Sequence, residues 1–209
     1  MLFLLLFFIF VFVPLLTRGK DDGILFRVIY SLLLLTGIWS VAKQKKHLMV
    51  VTSFAVIALA ANWLSQVSPT PTTLLTHDLA AVGFYAVFAF AMLIKTFAPG
   101  EVTFHRIEGS IIVYLLVGMI FTYVFHAVYL FAGPESFNNI KGTNLKEFAY
   151  FSFTSLTTMG YGDITPVHPL ARSLANFEAL MGQLYPAILI ARLVSMEFEA
   201  SSKRKSTVK

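Results

Sequence analysis

The sequence predicts an all-α membrane protein of six transmembrane helices, with a short re-entrant helix and a glycine loop between the last two. Three observations predict it. Of 209 residues, 57% are hydrophobic and 13% charged, with mean hydropathy +0.75, against about 25% charged in soluble domains. The apolar residues form long continuous runs rather than alternating ones. Only helices and closed barrels satisfy the backbone in lipid, and a barrel needs alternation. Finally, residues 145–163 lie between two long apolar runs and end in Gly160-Tyr161-Gly162-Asp163. A helix too short to span, followed by irregular backbone at membrane depth, is tolerated only where protein covers it or it lines a watery path.

Span one is Met1–Thr17, short against the usual ~20 residues. Its alternative, a signal peptide, lacks both a basic n-region before Arg18 and an A-x-A cleavage site. Span two is Ile24–Ala42 and span three Leu48–Val67, separated by Lys43-Gln44-Lys45-Lys46-His47. A Ser/Pro/Thr loop, Ser68 to Thr73, leads into span four, Leu74–Ile94. Span five is Ile107–Phe131 and span six Leu170–Met196, followed by a tail carrying Lys203-Arg204-Lys205. Trp39 and Trp63 fall near span ends, where interfacial aromatics collect.

Charge orients the chain. Six spans put both termini on one side, with the 43–47 loop, the linker bearing Lys95 and Arg106, and the basic tail. That side is cytoplasmic by the positive-inside rule, which Arg18 and Lys20 fit poorly. The formal charge of +5 therefore reads as topology rather than nucleic-acid binding. Zero cysteines exclude disulfides and thiolate metal sites. Span four has no Arg or Lys between Leu74 and Ile94, and Asp78 is its only charge. Each charge crossing the field is worth about 2.3 kcal/mol per 100 mV, so steep voltage sensing by this span is excluded.

Asn144 followed by Glu147 reads as an N-cap with its capping-box partner. From Leu145 to Thr157 is about 20 Å of helix, enough to reach mid-bilayer. Its C-terminal end carries partial negative charge and favours a cation. Gly160 and Gly162 stand where a loop of alternating conformation needs positive φ. The run Thr157-Thr158-Met159-Gly160-Tyr161-Gly162-Asp163 resembles the selectivity-filter signature of potassium channels, usually T-V-G-Y-G-D, and the resemblance covers about residues 107–196.

The resemblance implies a pore domain at 107–196: outer helix 107–131, pore helix 145–157, filter 158–163 and inner helix 170–196. Residues 1–98 are then a four-span domain without voltage-sensing charges, 99–106 a linker and 197–209 a short basic tail. The ion ligands it implies are the carbonyls of Thr158, Met159, Gly160 and Tyr161. The Thr158 hydroxyl stands at the inner end, and Gly162 and Asp163 form the outer mouth. Tyr150 and Phe151 match the aromatics that buttress the filter. Met159 departs from the usual Val or Ile. The resemblance further implies K+ as the permeant ion, and no cofactor and no enzymatic activity are expected. One loop supplies a quarter of each carbonyl ring, implying a homotetramer in the plasma membrane.

On the sixth span, Gly182 lies where potassium channels often place a hinge glycine. Pro186 cannot donate to the Gly182 carbonyl, so a gating bend and a static kink are both open, and Gln183 is expected at the cavity. Glu178, an ionisable residue inside a span, is expected to bond Thr154 or Ser155 behind the filter. A proton-sensitive filter is the sharper reading of it and a structural brace the blander. His126 is expected to be a packing residue, and Arg192 to snorkel to the inner interface. The alternatives to a channel are a potassium uptake transporter subunit, which would carry four degenerate loops, and a non-conducting accessory subunit.

Overall fold

A computed structural model describes residues 28, 30–32, 34, 35, 38, 45–67, 70–98 and 103–207. Span one and much of span two lie outside the described residues. The elements are α1 (Lys45–Val67), α2 (Pro71–Phe97), α3 (Phe104–Ala132), a 3-10 turn at Pro134–Ser136, β1 (Phe137–Asn138), α4 (Leu145–Leu156), β2 (Thr165–Pro166) and α5 (Pro169–Thr207).

Among the described residues, Pro71–Phe97, Phe104–Ala132 and Pro169–Phe198 are long and apolar enough to cross a membrane, and Met49–Leu64 is a shorter apolar helical stretch. The chain is a mostly helical membrane protein. Helices α1, α2, α3 and α5 each contain the apolar run read there from the sequence, and local chemistry sets their wider limits. Thr70 caps α2: its hydroxyl accepts from Thr73 N–H at 3.2 Å while the Thr73 hydroxyl accepts from Thr70 N–H at 3.0 Å. Pro71 sits in the first turn, where its missing N–H costs nothing. Part of the expected 99–106 linker is helix, since α3 begins at Phe104. The expected tail is not a separate segment either, because α5 continues to Thr207. The polar stretch after Met196 holds no Gly or Pro that would break it.

Helix α3 is the shared wall. One side, through Ile112, Val113, Leu116 and Tyr123, packs with Phe84, Tyr85 and Phe88 of α2, and Val51, Ala55 and Ala58 of α1, which packs on α2, complete the same core. The alanines let the helix backbones approach closely, as membrane helices do. The other side, through Phe121, Phe125 and Val128, packs with Phe148 and Phe151 of α4 and with Phe137. Here rings meet edge to face: Phe125 and Phe151 at 4.9 Å, Phe137 and Phe151 at 5.4 Å, Phe137 and Phe148 at 5.8 Å between centroids. Each such pair adds about 0.5–1.5 kcal/mol beyond its buried area. This aromatic box holds α4 between α3 and α5.

A neck closes the excursion that contains α4. β1 and β2 pair antiparallel, Phe137 opposite Pro166 and Asn138 opposite Thr165. The Ser136 carbonyl also accepts from Val167 N–H at 2.8 Å and His168 N–H at 3.1 Å.

Candidate functional site: a short helix and its glycine loop

Helix α4 starts at Asn144, whose side chain accepts from Lys146 N–H at 3.1 Å. The expected capping box does not form. The Glu147 carboxylate accepts instead from Lys141 N–H at 2.9 Å, tying down the preceding loop. The helix ends at Leu156 with Thr157 as its C-cap, one residue before the expected limit.

Beyond the cap the backbone alternates. φ is +57° at Thr158, +53° at Gly160 and +80° at Gly162, while Met159 and Tyr161 between them are not in the positive region. Alternation of this kind puts the N–H groups of a segment on one side and leaves its carbonyls for the other. The two glycines adopt positive φ freely. A Cβ at either would meet no atom within 4 Å, so conformation, not space, selects glycine there. Thr158 is different. A β-branched residue at positive φ is a true outlier, costing about 1–3 kcal/mol.

Four bonds hold the loop. Thr158 N–H donates to the Ser155 carbonyl at 2.9 Å, and the single Thr154 carbonyl accepts from Met159 N–H at 2.9 Å and Gly160 N–H at 3.1 Å. At the far end the Asn139 amide donates to the Asp163 carbonyl at 2.7 Å. Thr154 thus supports the loop through its backbone, while its hydroxyl turns back to the Phe151 carbonyl at 2.9 Å.

The aromatics divide their work. Tyr150 stacks on Tyr161 with ring planes 2° apart and centroids at 6.4 Å. The Asp163 carboxyl beside its hydroxyl raises its pKa above the usual tyrosine value. Phe151 points away from the loop into the aromatic box, so it supports the helix rather than the glycine loop directly. Met159 is 57% and Tyr161 66% exposed on the single chain.

Glu178 is fully buried, and its partner is Ser152, not Thr154 or Ser155. The Ser152 oxygen lies 2.5 Å from Glu178 Oε1 and 2.7 Å from the Gly118 carbonyl. One hydroxyl proton faces two acceptors, in a knot that joins α3, α4 and α5. Gly182 of α5 is buried against the end of α4, and the Leu156 carbonyl also accepts from the Tyr114 hydroxyl at 3.2 Å. Pro186 lies within continuous helix, and Gln183 is exposed on the single chain.

Sequence reasoning missed one pair. His126 is no mere packing residue: its Nδ1 lies 2.6 Å from Asp78 Oδ2, with both side chains buried. The available signal was their depth. Asp78 stands near the start of α2 and His126 near the end of α3, about two turns from the same end of two successive antiparallel helices.

Residues 110–199 match the family model described as "Ion channel". The described fold is that of a mostly helical membrane protein, and its residues 110–199 are similar to the ion channel family. Two curated relatives share part of this region. Protein LctB of Bacillus caldotenax is 36% identical over 69 residues, covering 33% of this chain and 50% of the relative. Protein LctB of Geobacillus stearothermophilus is 38% identical over 61 residues, covering 29% and 45%. The chain spans about half the length of the curated relatives it matches, and their shared name states no activity. No solved structure gives a significant match.

Proposed function

We propose that this chain is one subunit of a potassium-selective channel, passing K+ passively along the carbonyls of Thr158, Met159, Gly160 and Tyr161. One observation carries the reading: positive φ recurs at every second residue, Thr158, Gly160 and Gly162, at the C-terminal end of a half-length helix inside an ion channel domain. Such a loop replaces the hydration shell of an ion with carbonyls. The helix end adds partial negative charge beneath it.

The unit is a homotetramer. A single loop provides one side of a ring, and the side chains of residues 157–163 are exposed on the single chain. The channel is multi-pass, with six spans, in the plasma membrane with both termini cytoplasmic. Span four, without Arg or Lys between Leu74 and Ile94, leaves it without steep voltage gating. Gly162 and Asp163 form the outer mouth, Tyr150 and Thr154 brace the loop, Phe151 and Glu178 brace the helix, and Gln183 faces the cavity below. Gly182 and Pro186 mark where the inner helix bends during gating.

The test is flux from liposomes loaded with a potassium gradient. K+ flux far above Na+ flux, blocked by barium, is the expected result. Equal Na+ flux overturns selectivity. Saturable flux coupled to a second ion favours a transporter, and no flux favours an accessory subunit.

A further inference from the structure

We propose that Asp78 and His126 are positioning residues for the ion path, the contact through which the N-terminal helices set the helix carrying the glycine loop. Its consequence for conduction rests on the channel reading above; its geometry does not.

A carboxylate oxygen 2.6 Å from His126 Nδ1 accepts a hydrogen bond from that nitrogen, so the ring hydrogen is assigned to Nδ1. Nε2, buried without a hydrogen-bond partner among the described residues, then holds only a lone pair. The other tautomer would bury an unpaired N–H and set two acceptors against each other. Asp78 thereby fixes both the tautomer and the plane of the imidazole. That ring meets Phe148 of α4 edge to face, 5.1 Å between centroids. Phe148 is itself fully buried between Tyr129, at 5.3 Å, and Phe137, at 5.8 Å.

The pair also reaches the other way. Asp78 Oδ1 lies 3.4 Å from His77 Nδ1, and the His77 ring packs on Tyr30 at 5.4 Å and Tyr123 at 5.6 Å. A row of contacts therefore runs from Tyr30 through His77, Asp78 and His126 to Phe148. α2 packs on α1 and α3, and α4 on α3 and α5, so this row bridges the two halves of the domain. An ionisable residue in a span is costly and calls for a function. For stability alone, an apolar pair of the same volume serves as well or better. What a hydrogen-bonded pair adds is a single allowed rotation and depth of α2 on α3, handed on to α4 through the ring face.

The experiment uses the full chain in liposomes, with Asp78→Ala, His126→Phe, their double variant, Asp78→Asn, Phe148→Leu and Phe88→Ala. Two readouts are taken: the K+ to Na+ flux ratio, and hydrogen–deuterium exchange in residues 145–156. Asp78→Ala and His126→Phe should each lower the ratio and speed that exchange about tenfold, the weight of one hydrogen bond to a charged group. The double variant should be no worse than the worse single. Asp78→Asn, which still offers an oxygen to Nδ1–H, should stay near wild type. Phe88→Ala empties a core site of α2 away from the pair and should leave both readouts unchanged. Should Asp78→Ala fail to fold, Phe148→Leu, which keeps the pair and removes the ring contact, must still speed the exchange. The proposal falls if the single variants match wild type, if the double is additive, or if Phe88→Ala has the same effect. If wild type passes no K+, the channel reading fails instead, and exchange alone decides the positioning role.

Discussion

Gly182 lies so close to Leu156 that a Cβ built on it would stand 1.7 Å from the Leu156 carbonyl oxygen. The obstacle is backbone at the end of α4, which cannot swing aside as a side chain would. Gly182→Ala should therefore cost at least the upper part of the usual overpacking range, about 1–3 kcal/mol, seen as a lower melting midpoint of the purified protein. A midpoint equal to wild type would mean that α5 does not meet α4 at this point. Pro186→Ala separates packing from bending. It restores an N–H to the Gly182 carbonyl, so it should lower flux with the midpoint unchanged or raised.

Ser152 offers one proton to two acceptors, and Glu178 Oε2 has no partner among the described residues. Ser152→Ala should cost about 1–3 kcal/mol, the penalty of stranding a buried polar group. Glu178→Gln should be nearly neutral, because its amide donates to the Ser152 oxygen and frees the hydroxyl for Gly118. Melting midpoints of the two variants check this. Equal losses would show that the carboxyl is needed in itself. Flux from Glu178→Gln measured across pH then tests whether the carboxyl makes the filter proton-sensitive.

Thr158 carries backbone strain that neither neighbouring glycine shares. Thr158→Gly should raise stability locally by about 1 kcal/mol and lower K+ flux, since the stiff β-branched hydroxyl residue is lost. Thr158→Val keeps the strain and removes only the hydroxyl. Lower flux with an unchanged midpoint in that variant assigns the loss to the hydroxyl. If Thr158→Gly is no more stable, the strain does not exist.

Tyr150 holds its proton more tightly when folded, because the Asp163 carboxyl lies beside its hydroxyl. A group whose folded pKa is raised contributes fully below its unfolded value and loses the contribution as pH climbs through the folded one. The mouth should therefore be unaffected at neutral pH. It should loosen only in alkali, above the ordinary tyrosine value of 10.0. Exchange of the 158–163 segment followed against pH should show a step that Tyr150→Phe removes; a step surviving in that variant belongs to another group.

The short helix, its cap at Asn144 and the glycine loop were legible because their causes are local: a capping side chain, a length, and two glycines that must turn. What escaped depended on distant partners. Glu147 has the capping-box spacing, yet Lys141 N–H competes for it from the folded-back loop. Ser152 rather than Thr154 meets Glu178, since which face of α4 turns inward is settled by α3 and the aromatic box. Asp78 and His126 lie 48 positions apart, and each looked isolated on its own helix. Helix α5 outruns its apolar run for the opposite reason: the polar residues beyond Met196 propagate helix well. Thr158 was expected at the loop's inner end, but its positive φ is imposed by the bonds to Thr154 and Ser155 and cannot be read from a threonine.

The neck formed by Ser136, β1 and β2 makes the segment from Asn139 to Ile164 a closed loop whose two ends are held independently of its middle. Cutting the chain in the exposed turn near Gly142 would leave both new ends tethered, one by the strands and the other through α4 and its aromatic box. The protein could then be assembled from two separately made fragments, the break lying outside the glycine loop, and a host protein of similar neck geometry could receive this loop as a transplant.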